Sequence, residues 1–273
     1  MGQYLRELNV AVELAKEAGN IVLNFYDKEY DVSFKGKNDP VTQADKASNE
    51  YITSELNRHF PEDGILAEES QDNLSRLQTR RVWIVDPMDG TREFIDKVGQ
   101  FAVMIGLSVE GHPVLGVVYQ PTTDTMFTAV RGEGAFRIQN GEKTKLSVSD
   151  ISEPSQMRLV VSRSHRSHLV DSIMQSLGIE KDVASGSVGL KVGLMVQNKS
   201  DLYVHPNSKT KEWDTCAPQI ILEEAGGKMT DCWGNPLTYN KENTYNEKGF
   251  VASNGTVHRQ IVEKVIPFLD KMD

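Results

Sequence analysis

Only two cysteines, Cys216 and Cys232, stand in a chain of 273 residues, too few for a disulfide scaffold. Positive charge is also short: 30 Lys and Arg face 39 Asp and Glu, a formal net charge of −9. That balance excludes a nucleic-acid coat and a membrane-surface binder, both of which need a basic face. No apolar run approaches the ~20 residues that span a bilayer. The opening residues, Met-Gly-Gln-Tyr-Leu-Arg-Glu, hold no apolar signal core, and Arg6 stands where a myristoylation motif carries Ser or Thr. Repeats and low-complexity tracts are missing too. A cytoplasmic monomer or homodimer is expected, with a small-molecule partner, no nucleic acid polymer and no membrane. The rest of the composition, 38% hydrophobic and 25% charged, suits a globular chain of one large domain or two smaller ones.

Periodicity divides the chain. Leu5, Leu8, Val12, Ala15, Ala18, Val22 and Phe25 recur at helical spacing and predict an amphipathic helix over residues 4–26. A second helix runs from about Gln43 to His59, with Thr42 as N-cap and Asp45 at its third position. Between Gly64 and Phe136 the pattern turns to short strands: 65–67, 82–85, 102–109, 114–119 and 126–130. Strands and helices then alternate: strands at 158–162, 202–204 and 249–252, helices at 168–177, 188–196, 215–224 and 257–269. The polar stretch 147–156 is a seam, so residues 1–149 form an N-terminal α+β half and residues 150–273 a C-terminal α/β half.

The most telling segment is Trp83-Ile-Val-Asp-Pro-Met-Asp-Gly-Thr91. An apolar strand ends in Asp86, Pro87 is expected to stop it because it cannot donate to a ladder, and Gly90 permits a tight turn after Asp89. Paired carboxylates at the end of a buried strand are costly without a cation, and hard oxygen ligands select Mg2+. More acids sit at element ends: Glu68 and Glu69 after a strand, Asp45 in a first helical turn, and Asp214 just before a helix. Each has a bland reading as well. Asp-Pro-Met-Asp-Gly is a turn composition, Asp45 complements a helix dipole, Asp214 caps a helix, Thr91 caps another, and Glu68-Glu69 is a solvated loop. Their occurrence together, in this order, favours a metal site.

Asp39-Pro-Val-Thr-Gln-Ala-Asp45, Glu68-Glu69-Ser70, Trp83 to Thr91, Trp213-Asp214 and Glu224-Ala-Gly-Gly227 together resemble the inositol monophosphatase superfamily. The motifs reach from residue 39 to residue 227; Ala67 stands where many members have Gly. The resemblance implies a layered α-β-α-β-α sandwich and a phosphomonoesterase that uses two or three Mg2+ ions and is inhibited by lithium. It implies Glu68, Asp86 and the Met88 carbonyl as a first metal site, and Asp86, Asp89 and Asp214 as a second. Asp45 and Thr91 would orient and deprotonate the attacking water. Gly90 and Thr91 would offer amides to the phosphate, and Lys35 or Lys37 would match a nearby basic residue.

Within that superfamily, Val161-Ser-Arg-Ser-His165 and Gly186-Ser-Val-Gly189-Leu-Lys191 resemble the 3′(2′),5′-bisphosphate nucleotidases. That similarity implies hydrolysis of the 3′-phosphate of 3′-phosphoadenosine 5′-phosphate. His165, Gly189 and Lys191, with Asp214, would contact the substrate, Lys191 and His165 pairing with its second phosphate. Gly186-Ser-Val-Gly189 keeps part of the inositol phosphatase pattern, so an inositol monophosphatase, or an enzyme of dual specificity, is the alternative. His165 is also readable as a surface histidine and Lys191 as a solvated lysine. A non-catalytic sensor of phosphate ligands is a third reading, opposed by the full set of acids.

Overall fold

Small and branched apolar residues along one stripe, Val10, Ala11, Leu14, Ala15, Ala18 and Val22, are buried along helix α1 (Leu5–Tyr26). In the computed structural model, which describes residues 3–26, 28, 32–36 and 39–269, α1 is followed by a hairpin of strands β1 (Val32–Gly36) and β2 (Asp39–Thr42) that the periodicity did not predict. The side chain of Lys35 and all of Lys37 lie outside the described residues. Helix α2 (Gln43–His59) starts on a capping box: the Thr42 hydroxyl accepts from the Ala44 N–H at 3.1 Å, and Asp45 Oδ2 accepts from the Thr42 N–H at 2.7 Å.

A seven-stranded sheet then forms in chain order: β3 (Gly64–Ala67), β4 (Arg81–Asp89), β5 (Ala102–Val109), β6 (His112–Gln120), β7 (Thr125–Val130), β8 (Gly134–Gln139) and β9 (Glu142–Lys145). Only β3 and β4 run parallel. The short helix α3 (Thr91–Ile95) joins β4 to β5. The β5–β6 turn holds Glu110 and Gly111 both at positive φ, the conformation a tight hairpin requires.

After residues 146–157 the chain enters a second sheet, built of β10 (Arg158–Ser162), β11 (Lys181–Ser185), β12 (Leu202–His205), β13 (Lys228–Thr230) and β14 (Phe250–Ser253) in the order β11-β10-β12-β14-β13. Its helices are α4 (His168–Ser176), α5 (Val188–Val196), α6 (Glu212–Glu224) and α7 (His258–Leu269). Three apolar cores separate the layers. One joins α1 and α2 to the outer face of the first sheet. One holds α5 and α6 between the sheets, and one packs α4 and α7 on the far face of the second. This is the expected α-β-α-β-α sandwich.

Two differences from the sequence reading matter for the site. Pro87 does not end its strand. β4 continues to Asp89 through a bulge: Asp86 pairs with Met104 and Asp89 with Ala102, so β4 carries one residue more than β5. A bulge needs no ladder donor at its extra residue, which is where a strand tolerates proline. Helix α6 begins at Glu212 rather than Thr215, which puts Asp214 inside its first turn and Pro218 in its interior. Proline there cannot close the bond to the carbonyl four residues back, that of Asp214.

Helix α6 lies unusually close to β5 and β6 because Gly106 and Gly116 face each other across those strands. A Cβ on Gly106 would fall 2.7 Å from Cys216 Sγ, and one on Gly116 would fall 2.5 Å from the Ala217 carbonyl oxygen. Gly116→Ala is therefore expected to push α6 outward at a cost of about 1–3 kcal/mol. Because Asp214 rides on α6, turnover should fall along with the urea midpoint. An unchanged midpoint would show that α6 does not depend on this contact.

Candidate active site

The acids converge where β3, β4 and α6 end or begin. β3 and β4 run parallel in register, Ala67 beside Val85, and the Glu68 N–H donates to the Val85 carbonyl at 3.1 Å. Glu68 and Asp86 thus leave neighbouring strands on the same edge. The β4 bulge turns Asp86 and Asp89 together, and the Met88 N–H donates to Asp86 Oδ1 at 3.0 Å. The Ser48 hydroxyl on α2 donates to the Pro87 carbonyl at 2.9 Å and anchors the bulge from behind. From the other side, Asp214 sits third in α6, with Oδ2 accepting from the Lys211 N–H at 2.6 Å.

Ligand oxygens of Asp86, Asp89 and Asp214 all lie within 4.8 Å of one another. Glu68 stands outside this trio but close enough to act electrostatically on Asp86, Asp214 and Asp45. Burial first, then the neighbouring carboxylates Glu68, Asp89 and Asp214, pushes the Asp86 carboxyl well above its ordinary value. Burial, Asp89 and Glu68 do the same to Asp214. Asp89 is raised by burial too, opposed by the Lys191 ammonium and by hydrogen bonds from Ser187 and Gly189. Three oxygen donors crowded into a space where they repel one another fit a hard divalent cation, which removes the repulsion.

Beside the trio lies a second arrangement. The Thr91 hydroxyl donates to Asp45 Oδ1 at 2.9 Å, with the Met88 carbonyl 3.3 Å away. Thr91 opens α3 but does not cap it; that position belongs to Gly90, at φ 98°. A Cβ on Gly90 would lie 2.9 Å from the Gln100 carbonyl oxygen, so only glycine fits the turn that aims Thr91 at Asp45. Asp45 is buried, and burial raises its pKa against the hydrogen bonds from Thr42 and Thr91. A carboxylate poised upward in this way is suited to accept a proton.

The substrate residues of the sequence reading divide. His165 is exposed in the loop after β10, its N–H donating to the Ser162 hydroxyl at 3.2 Å. Loss of solvent around the ring lowers its pKa, aided by Lys209, Lys191 and Arg92 and opposed by Glu93. Gly189 packs against Met104 and Val118, where a Cβ would come within 2.6 Å of Met104 Sδ, and its N–H donates to Asp89 Oδ2 at 3.1 Å. Lys191 departs from expectation. It is not a solvated lysine. It is 3% exposed, and its ammonium donates to the Gly186 and Ser187 carbonyls at 3.0 and 3.1 Å.

The sequence reading did not single out Ser187, Glu93, Gln100 or Ser164. Ser187 donates to Asp89 Oδ2 at 2.6 Å from a backbone at φ 39°, a conformation that costs a non-glycine residue about 1–3 kcal/mol. Ser164, inside the Ser-x-Ser-His165 pattern, donates to buried Glu93 at 2.6 Å. An acid directly after Gly-Thr-Arg was the available signal, and its burial is visible only in the fold. Cys216 is fully buried, and burial and then Glu212 push its thiol well above the usual range.

The like-charge trio makes a prediction about pH. Without metal, Asp86 and Asp214 bind protons more tightly in the folded chain than in the unfolded one. Their contribution to stability is full below the ordinary carboxylate range and lost as pH rises through their elevated folded values. At neutral pH, Asp86→Asn is expected to raise the Tm of metal-free protein. It should also remove the gain given by Mg2+, which at about 100 times its Kd would be about 2.7 kcal/mol. Thermal melts across pH, with and without Mg2+, check this; a variant that melts lower and still responds to Mg2+ would contradict it.

Comparison with known proteins shows the family. The Inositol monophosphatase family model matches residues 5–270. The chain is 36% identical over 247 residues to the 3′(2′),5′-bisphosphate nucleotidase CysQ of Aggregatibacter actinomycetemcomitans, covering 89% of this chain and 91% of the relative. The crystal structure of CysQ from Bacteroides thetaiotaomicron superposes with a TM-score of 0.79 at 29% identity, over 92% of this chain and 97% of that one. The IMPase of Thermotoga maritima superposes with a TM-score of 0.83 at 26% identity, over 98% and 100%. The chain belongs to the inositol monophosphatase family.

Proposed function

We propose that the protein is a Mg2+-dependent phosphomonoesterase that removes the 3′-phosphate of 3′-phosphoadenosine 5′-phosphate. The observation that carries the chemistry is the Thr91–Asp45 contact of 2.9 Å beside three carboxylates gathered within 4.8 Å. Asp86, Asp89 and Asp214, with Glu68 and the Met88 carbonyl, would hold the cations. Bound there, Mg2+ would neutralise phosphoryl oxygens and lower the pKa of water.

The remaining work falls to the chain. Thr91 Oγ, whose proton is directed at Asp45, keeps its lone pairs for a water and fixes that water's orientation. Asp45 is the base that receives the proton. The amides of Gly90 and Thr91 are assigned to the phosphate. In this reading residues 1–149 supply most of the acids, and residues 150–273 supply Asp214, His165 and Gly189. A cytoplasmic setting belongs to the same proposal; among the described residues no helix is long and apolar enough to cross a membrane.

The nucleotide is favoured by the CysQ relatives and by the Ser-x-Ser-His165 loop. The second reading, an inositol monophosphatase or an enzyme of dual specificity, is favoured by the Gly186-Ser-Val-Gly189 pattern and by the superposition on the Thermotoga maritima IMPase. Phosphate release from 3′-phosphoadenosine 5′-phosphate and from myo-inositol 1-phosphate, side by side, separates them. The nucleotide is expected to have the higher kcat/KM, and a clear preference for the inositol ester would replace the first reading with the second. Asp89→Asn should bring hydrolysis of either ester to background, and lithium and excess calcium should inhibit the parent.

A further inference from the structure

Helix α6 carries Asp214 to the acids of β4, and the first turn of that helix is gripped by residues 240–246. Lys211, the N-cap whose N–H donates to Asp214 Oδ2, has its own carbonyl bonded by the Asn246 side-chain amide at 2.9 Å. The Asn246 N–H donates to the Thr210 carbonyl at 2.9 Å, and the Glu212 N–H to the Thr244 carbonyl at 2.9 Å. The Glu212 side chain adds the closest hold. It is fully buried and turns away from its own helix: Oε2 accepts from the Asn240 N–H at 2.6 Å and Oε1 from the Lys241 N–H at 2.9 Å.

An acid in the first turn of a helix ordinarily complements the helix dipole from the surface. Glu212 does more than that. A buried carboxylate is costly unless its oxygens are bonded, and here each oxygen receives one N–H. Successive N–H groups that converge on one anion form a nest, which calls for left-handed backbone; Asn240 supplies it at φ 61°. The far side of the same two residues rests on a cation. Arg76, 2% exposed in the single turn Ser75–Gln78, donates to the Lys241 carbonyl at 2.9 Å and to Asn240 Oδ1 at 2.8 Å. The Asn240 side-chain amide donates back to the Arg76 carbonyl at 3.2 Å. Arg76 is in turn seated on β3, where a Cβ on Gly64 would lie 2.9 Å from Arg76 Cβ. Carboxylate, peptide pair and guanidinium thus form one bridge from the first residue of α6 to the strand that leads into Glu68.

We infer that Glu212 is a positioning residue for Asp214, and that the bridge from Glu212 through Asn240 and Lys241 to Arg76 sets how far α6 stands from the acids of β3 and β4. This rests on the reading of Asp86, Asp89 and Asp214 as cation ligands. Glu212 is buried with both oxygens engaged, so its effect reaches the site through the helix backbone. A residue that only stabilises the fold and one that aims a ligand move different observables. Loss of the first lowers the melting temperature and leaves the Mg2+ affinity of the folded protein alone. Loss of the second weakens that affinity and raises, by the same factor, the Mg2+ concentration for half-maximal hydrolysis, while saturating Mg2+ restores kcat.

The test uses metal-stripped full-length protein, with Mg2+ binding measured by calorimetry well below each melting temperature. Glu212→Gln keeps the volume of the side chain but sets an NH2 group against one of the two N–H donors. It is expected to weaken Mg2+ about tenfold, the lower end of the range for groups that orient a metal ligand. Asn240→Gly keeps the positive φ and both N–H groups and removes only the side-chain bonds to Arg76. It should weaken Mg2+ in the same direction by a smaller factor, and it decides the matter if Glu212→Gln does not fold. Ile173→Val, in the core under α4 and α7, is the control: a lower melting temperature with parent-like Mg2+ affinity. Parent-like affinity in both Glu212→Gln and Asn240→Gly, or an equal loss in Ile173→Val, overturns the inference and leaves the metal site intact. A parent that binds no Mg2+ overturns the metal reading and the inference with it.

Discussion

Mutual repulsion among Asp86, Asp89 and Asp214 is the constraint on which the rest of the structure depends. Oxygens of three carboxylates within 4.8 Å, at the end of a buried strand, would separate unless each were held. Each is held differently. Asp86 is fixed by the Met88 N–H within the bulge, Asp89 by Ser187 and Gly189 from α5, and Asp214 by the Lys211 N–H at the start of α6. The stability of the surrounding layers is what sustains an arrangement that the acids alone would not adopt.

Both candidate acids that lie on helices use the same device. Asp45 and Asp214 are third in their helices, and each accepts from the backbone N–H of its own N-cap residue. That bond fixes one oxygen and leaves the other free to serve a different partner: for Asp45, the Thr91 hydroxyl. A capping acid and a functional acid are thus the same residue, so the bland and the chemical readings of these positions were never exclusive.

The interior Pro218 fits the same economy of parts. Helix α6 must lie flat on Gly106 and Gly116 to bring Asp214 over β4. It must also spare the Asp214 carbonyl from a helical bond, because proline supplies no N–H four residues later. The strained Ser187 backbone, the bulge at Pro87 and the proline in α6 all depart from regular structure, and all border the acid trio. Departures from local rules gather where a site is built.

Much was legible without coordinates. The helices α1, α2 and α7 and the hairpin of β5 and β6 follow from periodicity and turn residues, because burying one face dictates where apolar residues fall. Asp45, Asp86, Asp89, Thr91 and Asp214 stood out as candidates because acids and glycine fall at element ends, and the fold brings Asp45 to Thr91 and gathers the other three. The hairpin β1–β2, the edge strands β9, β11 and β13, the strand β8 beside β9, and the true start of α6 were not, since short or half-exposed segments show too weak a period. Lys191 shows the limit most clearly. The chain by itself determined that a lysine follows Gly186-Ser-Val-Gly189-Leu190, one turn into a helix. Only the tertiary structure decided that its ammonium turns inward to two carbonyls, because the packing of Glu93, Gln100 and Tyr203 around that loop comes from segments distant in sequence, and no local pattern encodes it.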